Sequence, residues 1–264
     1  MSLEILHDPR VRATEHRDLH GMGAAQTALE LLMGVPFVLG SWACAARGWW
    51  LASLGLAFVF FLVGLRLVHD AFHRNLGLSR AGHDVVLVVM SVLMGAAMHA
   101  IQFNHLRHHA HCMDDEDVEA FGARLPAHKA LLYGPYFPWL LHRHAFLHGG
   151  PRVRRFLALE LGLWLALVAL ALALTLPLLR FHLGVMLVGQ CLTAFFAVWT
   201  VHHDCDRSHY IARTIRGRVK SVLTFNMFYH VEHHLFPRVP TYRLPELARR
   251  LDQRAPELST RRVF

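Results

Sequence analysis

Eight histidines lie in three short segments with the spacing of metal ligands. HDAFH carries His69 and His73. HLRHH carries His105, His108 and His109, with His111 just beyond. HVEHH carries His230, His233 and His234. On a helix, residues three or four apart lie on one face, one above the other, so each segment can aim its imidazoles at a single centre. Neutral imidazole is the commonest side-chain metal ligand. One HxxxH pair alone says little, because histidines also snorkel towards membrane headgroups; three such clusters in one chain, at one membrane face, are not accounted for that way. A zinc ion takes about four ligands, and a catalytic zinc three. Eight nitrogens therefore suit two metals with open positions, and nitrogen ligands on a redox site suit iron.

Further candidates surround these clusters. His202 and His203 are adjacent in VHHDCD; neighbours on a helix point about 100° apart, so one of them faces the centre, and His202 is the expected one. Asn226, four residues before His230, can offer its carbonyl to metal or to a metal-bound water, or else cap a helix. Asp70, Glu232, Asp204, Asp206 and the acidic run Asp114–Asp117 can accept the far N–H of ligating imidazoles. Of the 22 histidines in the chain, His7, His16, His20, His83, His128, His142, His144, His148 and His182 lack ligand spacing and read as surface or interface residues. His99, inside an apolar run, is ambiguous.

The elements that must position these residues are membrane helices. Apolar residues make up 54% of the 264 and mean hydropathy is +0.32, which points to lipid as the solvent. Four stretches approach the ~20 residues a bilayer requires: Ala24–Ala46, Gly48–Val68, Phe156–Leu176 and Phe181–Val201. They predict two hairpins, turning at Arg47-Gly48 and around Pro177–His182. Glu30 and Glu160 interrupt two runs near their ends, where a carboxylate can reach the interface or a partner. A fifth run, Val85–Ile101, is short and bracketed by histidines. Crossing would put the first two clusters on opposite sides, so it reads as an interfacial or re-entrant helix.

The chain is basic, with 27 Arg and Lys against 19 Asp and Glu. With four spans, the turns near Arg47 and Arg180 face outward and all other basic residues lie opposite. The positive-inside rule then puts both termini, the 69–155 segment and the 202–264 tail in the cytoplasm, with every histidine cluster on that side. The positive charge thus suits an anionic membrane surface rather than nucleic acid. Cys44, Cys112, Cys191 and Cys205 form no CxxC pair and carry no disulfide or zinc-finger signal. The polar first 20 residues do not resemble a cleavable signal peptide. The expectation is an all-α membrane protein of one domain over 1–264: four spans in two hairpins, one interfacial or re-entrant helix, and a cytoplasmic helical cap carrying the metal site.

Taken together, HDAFH, HLRHH and the tail NMFYHVEHHLFPRVPTYRLPEL resemble the membrane fatty acid desaturase superfamily, which also contains carotenoid hydroxylases and ketolases. The resemblance runs from about Leu65 to Leu251 and includes the four-span layout. It implies a non-haem di-iron centre that uses O₂ as cosubstrate and attacks an unactivated C–H bond. It makes the eight clustered histidines iron ligands, with His202 in the place of the extra ligand at the end of the last span and His203 as the fallback. There is no His-Pro-Gly-Gly haem motif, so electrons are expected from a separate ferredoxin- or cytochrome b5-like donor. The first reading is a fatty acyl desaturase drawing an apolar substrate from the bilayer. The short length, HDAFH and VPTYRLP also resemble carotenoid ketolases. A metal transporter would need ligands near mid-membrane, and a zinc hydrolase would leave several histidines idle.

Overall fold

The computed structural model describes residues 4–206 and 211–260. Among these residues the fold is helical and no strand forms; an isolated bridge pairs Thr214 with Tyr229. Four helices are long and apolar enough to cross a membrane: α1 (Ala24–Ala46), α2 (Trp50–Phe72), α6 (Pro151–Ala173) and α7 (Pro177–His202). Each overlaps a stretch read from the sequence, with its ends moved by local chemistry. Pro151 and Pro177 sit in the first turns of α6 and α7, where a missing N–H costs nothing. That starts both helices earlier than their apolar runs. Pro36 has no N–H for the Leu32 carbonyl, and α1 is interrupted at Met33-Gly34.

Small and polar residues tie the spans together. Ser41 of α1 and Ser53 of α2 each donate a hydroxyl to the other's carbonyl, at 2.9 and 2.8 Å. Glu30 and Arg66 form a buried ion pair between the same helices, with Gln26 also donating to Glu30 at 2.8 Å. Arg66 further donates to the Phe225 carbonyl at 3.0 Å, joining a span to the segment before the third cluster.

The run Val85–Ile101 is not one helix. It divides between α3 (Arg80–Met94) and α4 (Met98–His111), which meet at 111°. Gly95 makes the turn at φ 73°, and its missing side chain accommodates the Trp164 indole. A broken helix exposes backbone groups that lipid cannot satisfy, and polar side chains from several helices take them. The N–H of Ala97 donates to His142 Nε2 at 2.9 Å, that of Met98 to the Ser91 hydroxyl at 2.9 Å, and that of His99 to Glu160 at 3.1 Å. The carbonyls of Leu93 and Met94 accept from His182 at 2.8 Å and Gln190 at 2.9 Å. The His99 ring stacks on Phe156, with its nitrogens 2.6 Å from Glu160 and 3.2 Å from Asp84. Both carboxylate oxygens of Asp84 in turn accept from Arg152 Nη2, at 2.6 and 2.7 Å. His142 and His182, expected at a surface or interface, and the ambiguous His99 are thus structural groups that hold the break.

After α4 the chain runs through α5 (Tyr136–His148) and, beyond α7, α8 (Arg218–Leu223), α9 (His230–Leu235) and α10 (Leu244–Arg254). Residues from both ends of the chain, Ile5, Val11, Val231, Leu247 and Leu251 among them, form one apolar core under the third cluster.

Candidate metal centre

The three clusters and His202 converge. The last turn of α2 carries His69, and His73 is its C-cap; α4 supplies His105, His108 and His109; α9 supplies His230, His233 and His234; the last turn of α7 supplies His202. Two loop anchors bring the first and third clusters together. Asp70 accepts the Thr241 N–H at 3.0 Å, and Asn75 donates to the Pro237 carbonyl at 2.9 Å. The loop following α9 is thereby pinned to the end of α2.

Nine imidazoles fall into two sets. In the first, His69, His73, His105 and His233 offer ring nitrogens within 4.8 Å of one another. His109 joins them, its Nε2 at 3.2 Å from His105 Nε2 and 2.9 Å from His233 Nε2. In the second, the Nε2 atoms of His108, His202, His230 and His234 form a closed ring. Its successive edges are 3.0 Å, 3.0 Å, 3.2 Å and 3.2 Å.

The His108–His202 edge of that ring is not a hydrogen bond between neutral rings. His202 Nδ1 lies 2.9 Å from the Ile211 carbonyl oxygen, which only accepts, so Nδ1 carries the proton. His108 Nδ1 likewise faces Asp117 at 2.7 Å. Burial alone would raise the Asp117 carboxyl; the His108 bond and the N–H groups of Met113 and Ala120 outweigh it and hold the group at about 2, ionised. With both rings neutral the two Nε2 atoms carry facing lone pairs at 3.0 Å, a contact that needs a cation; the Asp117 bond, with the Glu119 charge, raises His108 against its burial, so that cation is a proton on His108 or a metal ion. Burial, with neighbouring rings adding to it, pushes His73, His109, His230, His233 and His234 well below the ordinary imidazole value. Neutral imidazole is the metal-binding form. Metal–nitrogen bonds of about 2.0–2.1 Å put neighbouring donors on one ion roughly 3 Å apart, close to the spacing of this ring. His69, whose two ring nitrogens are buried and without a partner, shows the same need in the first set. The donor set fits metal ions.

The groups that orient these rings differ in part from the expected ones. Within the acidic run, Asp117 accepts from His108, while Asp114 faces His111. Glu119, absent from the sequence reading, meets His105 Nδ1 at 2.9 Å. Asp70 and Glu232 turn away from the imidazoles. Asp70 holds Thr241, and Glu232 accepts the Thr214 hydroxyl at 2.8 Å and pairs with Arg216 at 2.7 Å. Asn226 lies in a left-handed turn at φ 61°, and α9 is capped by Tyr229 instead. Asp204, also left-handed at φ 55°, and Asp206 lie in the segment leaving α7.

His202 and His203 part company. The His203 ring stacks on Trp199 at 3.9 Å, and its Nδ1 donates to the Trp199 carbonyl at 2.7 Å, outside both sets. The register that separates them is set just upstream. Ala194–Trp199 is wound as a π-helix, which widens the turn relative to an α-helix and rotates everything after it.

The fatty acid desaturase family model matches residues 47–263. A beta-carotene ketolase from Paracoccus sp. is 30% identical over 200 residues, covering 72% of this chain and 76% of the ketolase. An omega-6 fatty acid desaturase, chloroplastic, from Brassica napus is 25% identical over 256 residues, covering 81% of this chain and 57% of that enzyme. No solved structure matches the chain. With the matched region running from the start of α2 through α10 and containing all nine converging histidines, the chain belongs to the fatty acid desaturase family and is an oxidoreductase.

Proposed function

We propose that this protein is an O₂-dependent di-iron oxidase of C–H bonds in an apolar lipid. The observation that carries this reading is the ring of four Nε2 atoms beside a second histidine set, a donor array for two metals. His69, His73, His105, His109 and His233 would hold one iron, and His108, His202, His230 and His234 the other. Bound iron supplies the O₂ activation that no amino-acid side chain provides. Asp117, Glu119 and the Ile211 carbonyl fix the tautomers of His108, His105 and His202, so that each presents its Nε2 lone pair. Burial keeps water from competing for these nitrogens.

Of the two substrate readings, acyl desaturation and oxidation of a carotenoid, the second gains support from the relatives. The chain covers three quarters of the ketolase but little more than half of the desaturase, at higher identity to the former. The test is product formation in cells supplied with β-carotene or with saturated acyl lipids. A keto-carotenoid supports this reading; a new double bond in the acyl lipids returns it to desaturation. No oxidised product from either, with metal bound, contradicts both.

We also propose two hairpins entering from the cytoplasm, with both termini, the metal centre and the meeting place for a separate electron donor on that side. Reporter fusions at Arg47 and Arg180 should then report the outer side, and fusions at Ala120 and after the last residue the cytoplasm. An outer report at Ala120 would make α3–α4 a crossing and refute this topology.

A further inference from the structure

Between α7 and α9 the chain makes an excursion with an apolar outer side. On α8, Val219, Val222 and Leu223 are 73%, 67% and 69% exposed. The two ends of the excursion are joined beside His230: the Ile215 N–H donates to the Phe228 carbonyl at 2.8 Å, and Thr214 bridges Tyr229. Its tip reaches α1 and α2 inside their apolar lengths. The Phe225 carbonyl accepts from Arg66 at 3.0 Å, six residues before the end of α2 and about 9 Å along the helix from it. The Phe225 ring meets Phe37 edge-on at 6.4 Å, past the interruption of α1. Phe225 and Asn226 hold left-handed backbone at φ 52° and 61°, which costs energy without glycine, and the Arg66 bond secures the first of them. The turn satisfies its own backbone, as a segment in lipid must. The N–H groups of Phe225, Asn226 and Met227 donate to the carbonyls of Val222, Ser221 and Thr224 at 3.1, 2.8 and 3.0 Å.

We infer that residues 217–228 dip into the leaflet at the histidine end of the spans. Val219, Val222 and Leu223 lie among acyl chains, and the exposed Arg218 and Lys220 reach the lipid phosphates. Phospholipid is the occupant of this face because the face continues a lipid surface: the tip packs on two spans, and Val35 and Leu39, which flank Phe37 in α1, are exposed as well. Long basic side chains lay their stems on apolar surface and keep their charge at the headgroups, where anionic lipid attracts them. The inference depends on α1 and α2 spanning the bilayer and not on the oxidation chemistry.

The test places the intact protein in nanodiscs of phosphatidylcholine and phosphatidylglycerol, with a trace of one or the other lipid carrying a diazirine in its acyl chain. After photolysis, label on the peptide covering 217–228 should match that on α6 around the exposed Leu163 and Leu165. It should exceed several-fold the label on the acidic loop at the exposed Asp115 and Glu116. Val222→Glu together with Leu223→Glu should lower label on this peptide several-fold and leave α6 unchanged, which shows that the variant is still inserted. The phosphatidylglycerol probe should label the peptide more than the phosphatidylcholine probe, and Arg218→Gln with Lys220→Gln should remove the difference. Label no higher than on the acidic loop would overturn the inference and leave the face to a protein partner. Label indifferent to the two glutamates would overturn it too. Equal labelling by the two probes would overturn the placing of Arg218 and Lys220 at the phosphates. The readout needs neither iron nor turnover, so failure here and failure of the proposed function are separate results.

Discussion

Replacing His202 with Ala should remove iron and activity together, whereas His203→Ala should keep most of both. The two residues are neighbours, but only His202 contributes to the ring of Nε2 atoms, at 3.0 Å from both His108 and His230. Removing it opens that ring and leaves the Ile211 carbonyl without its donor. Changes to groups that merely orient a ligand cost roughly 10–100-fold in metal affinity or activity; loss of a ligand should cost more. His203 gives up a stacking contact with Trp199 and one bond to its own helix, about 1 kcal/mol of local stability. The readouts are iron per chain and turnover for each variant. The reverse pattern would mean that the π-wound segment Ala194–Trp199 shifts register when metal binds, bringing His203 round instead.

Glu160→Ala should be among the most destabilising single changes in the protein, although Glu160 touches none of the nine histidines. Its two oxygens hold the backbone N–H and the ring of His99, at the bend between α3 and α4. Both side chains are buried, Glu160 at 1% exposure and His99 at 4%. Removing the carboxylate orphans two buried groups, the His99 backbone N–H and its ring Nδ1, at about 1–3 kcal/mol each, while the other ring nitrogen keeps Asp84 at 3.2 Å. The damage should extend to the centre, since α4 carries three of its histidines and its first turn is held by this bond. Thermal unfolding and iron content should fall together in Glu160→Ala, and Glu160→Gln, which keeps an acceptor, should fall less. An Ala variant that unfolds like the native protein would show that His142 and Ser91 hold the break unaided.

Local spacing makes part of this molecule readable from its sequence. The i, i+3, i+4 histidines of the three clusters share helix faces, and four apolar runs give four membrane-length helices. What was not readable depends on groups distant in the chain. His142 and His182 look idle in sequence because their partners, Ala97 N–H and the Leu93 carbonyl, lie 45 and 89 residues away. The need for them arises only once α3 and α4 bend. Gly95 was the available sign of that bend, since a glycine within an apolar helical run often marks a turn. Glu119 reaches His105 across an irregular loop whose path no periodicity records. The orienting group for His202 is a backbone carbonyl, which leaves no trace in residue type. Asp70 and Glu232, by contrast, sit inside the clusters yet serve the loops around them. A residue's place in a motif fixes its neighbourhood but not the direction of its side chain.

The most direct measurement is the metal content of the purified protein, together with that of His108→Ala and His233→Ala. These two histidines belong to different sets. The native chain should hold close to two irons, and each variant should lose iron and all activity while remaining inserted in the membrane, because the spans are untouched. A single zinc per chain, or activity that survives both substitutions, would contradict the di-iron centre.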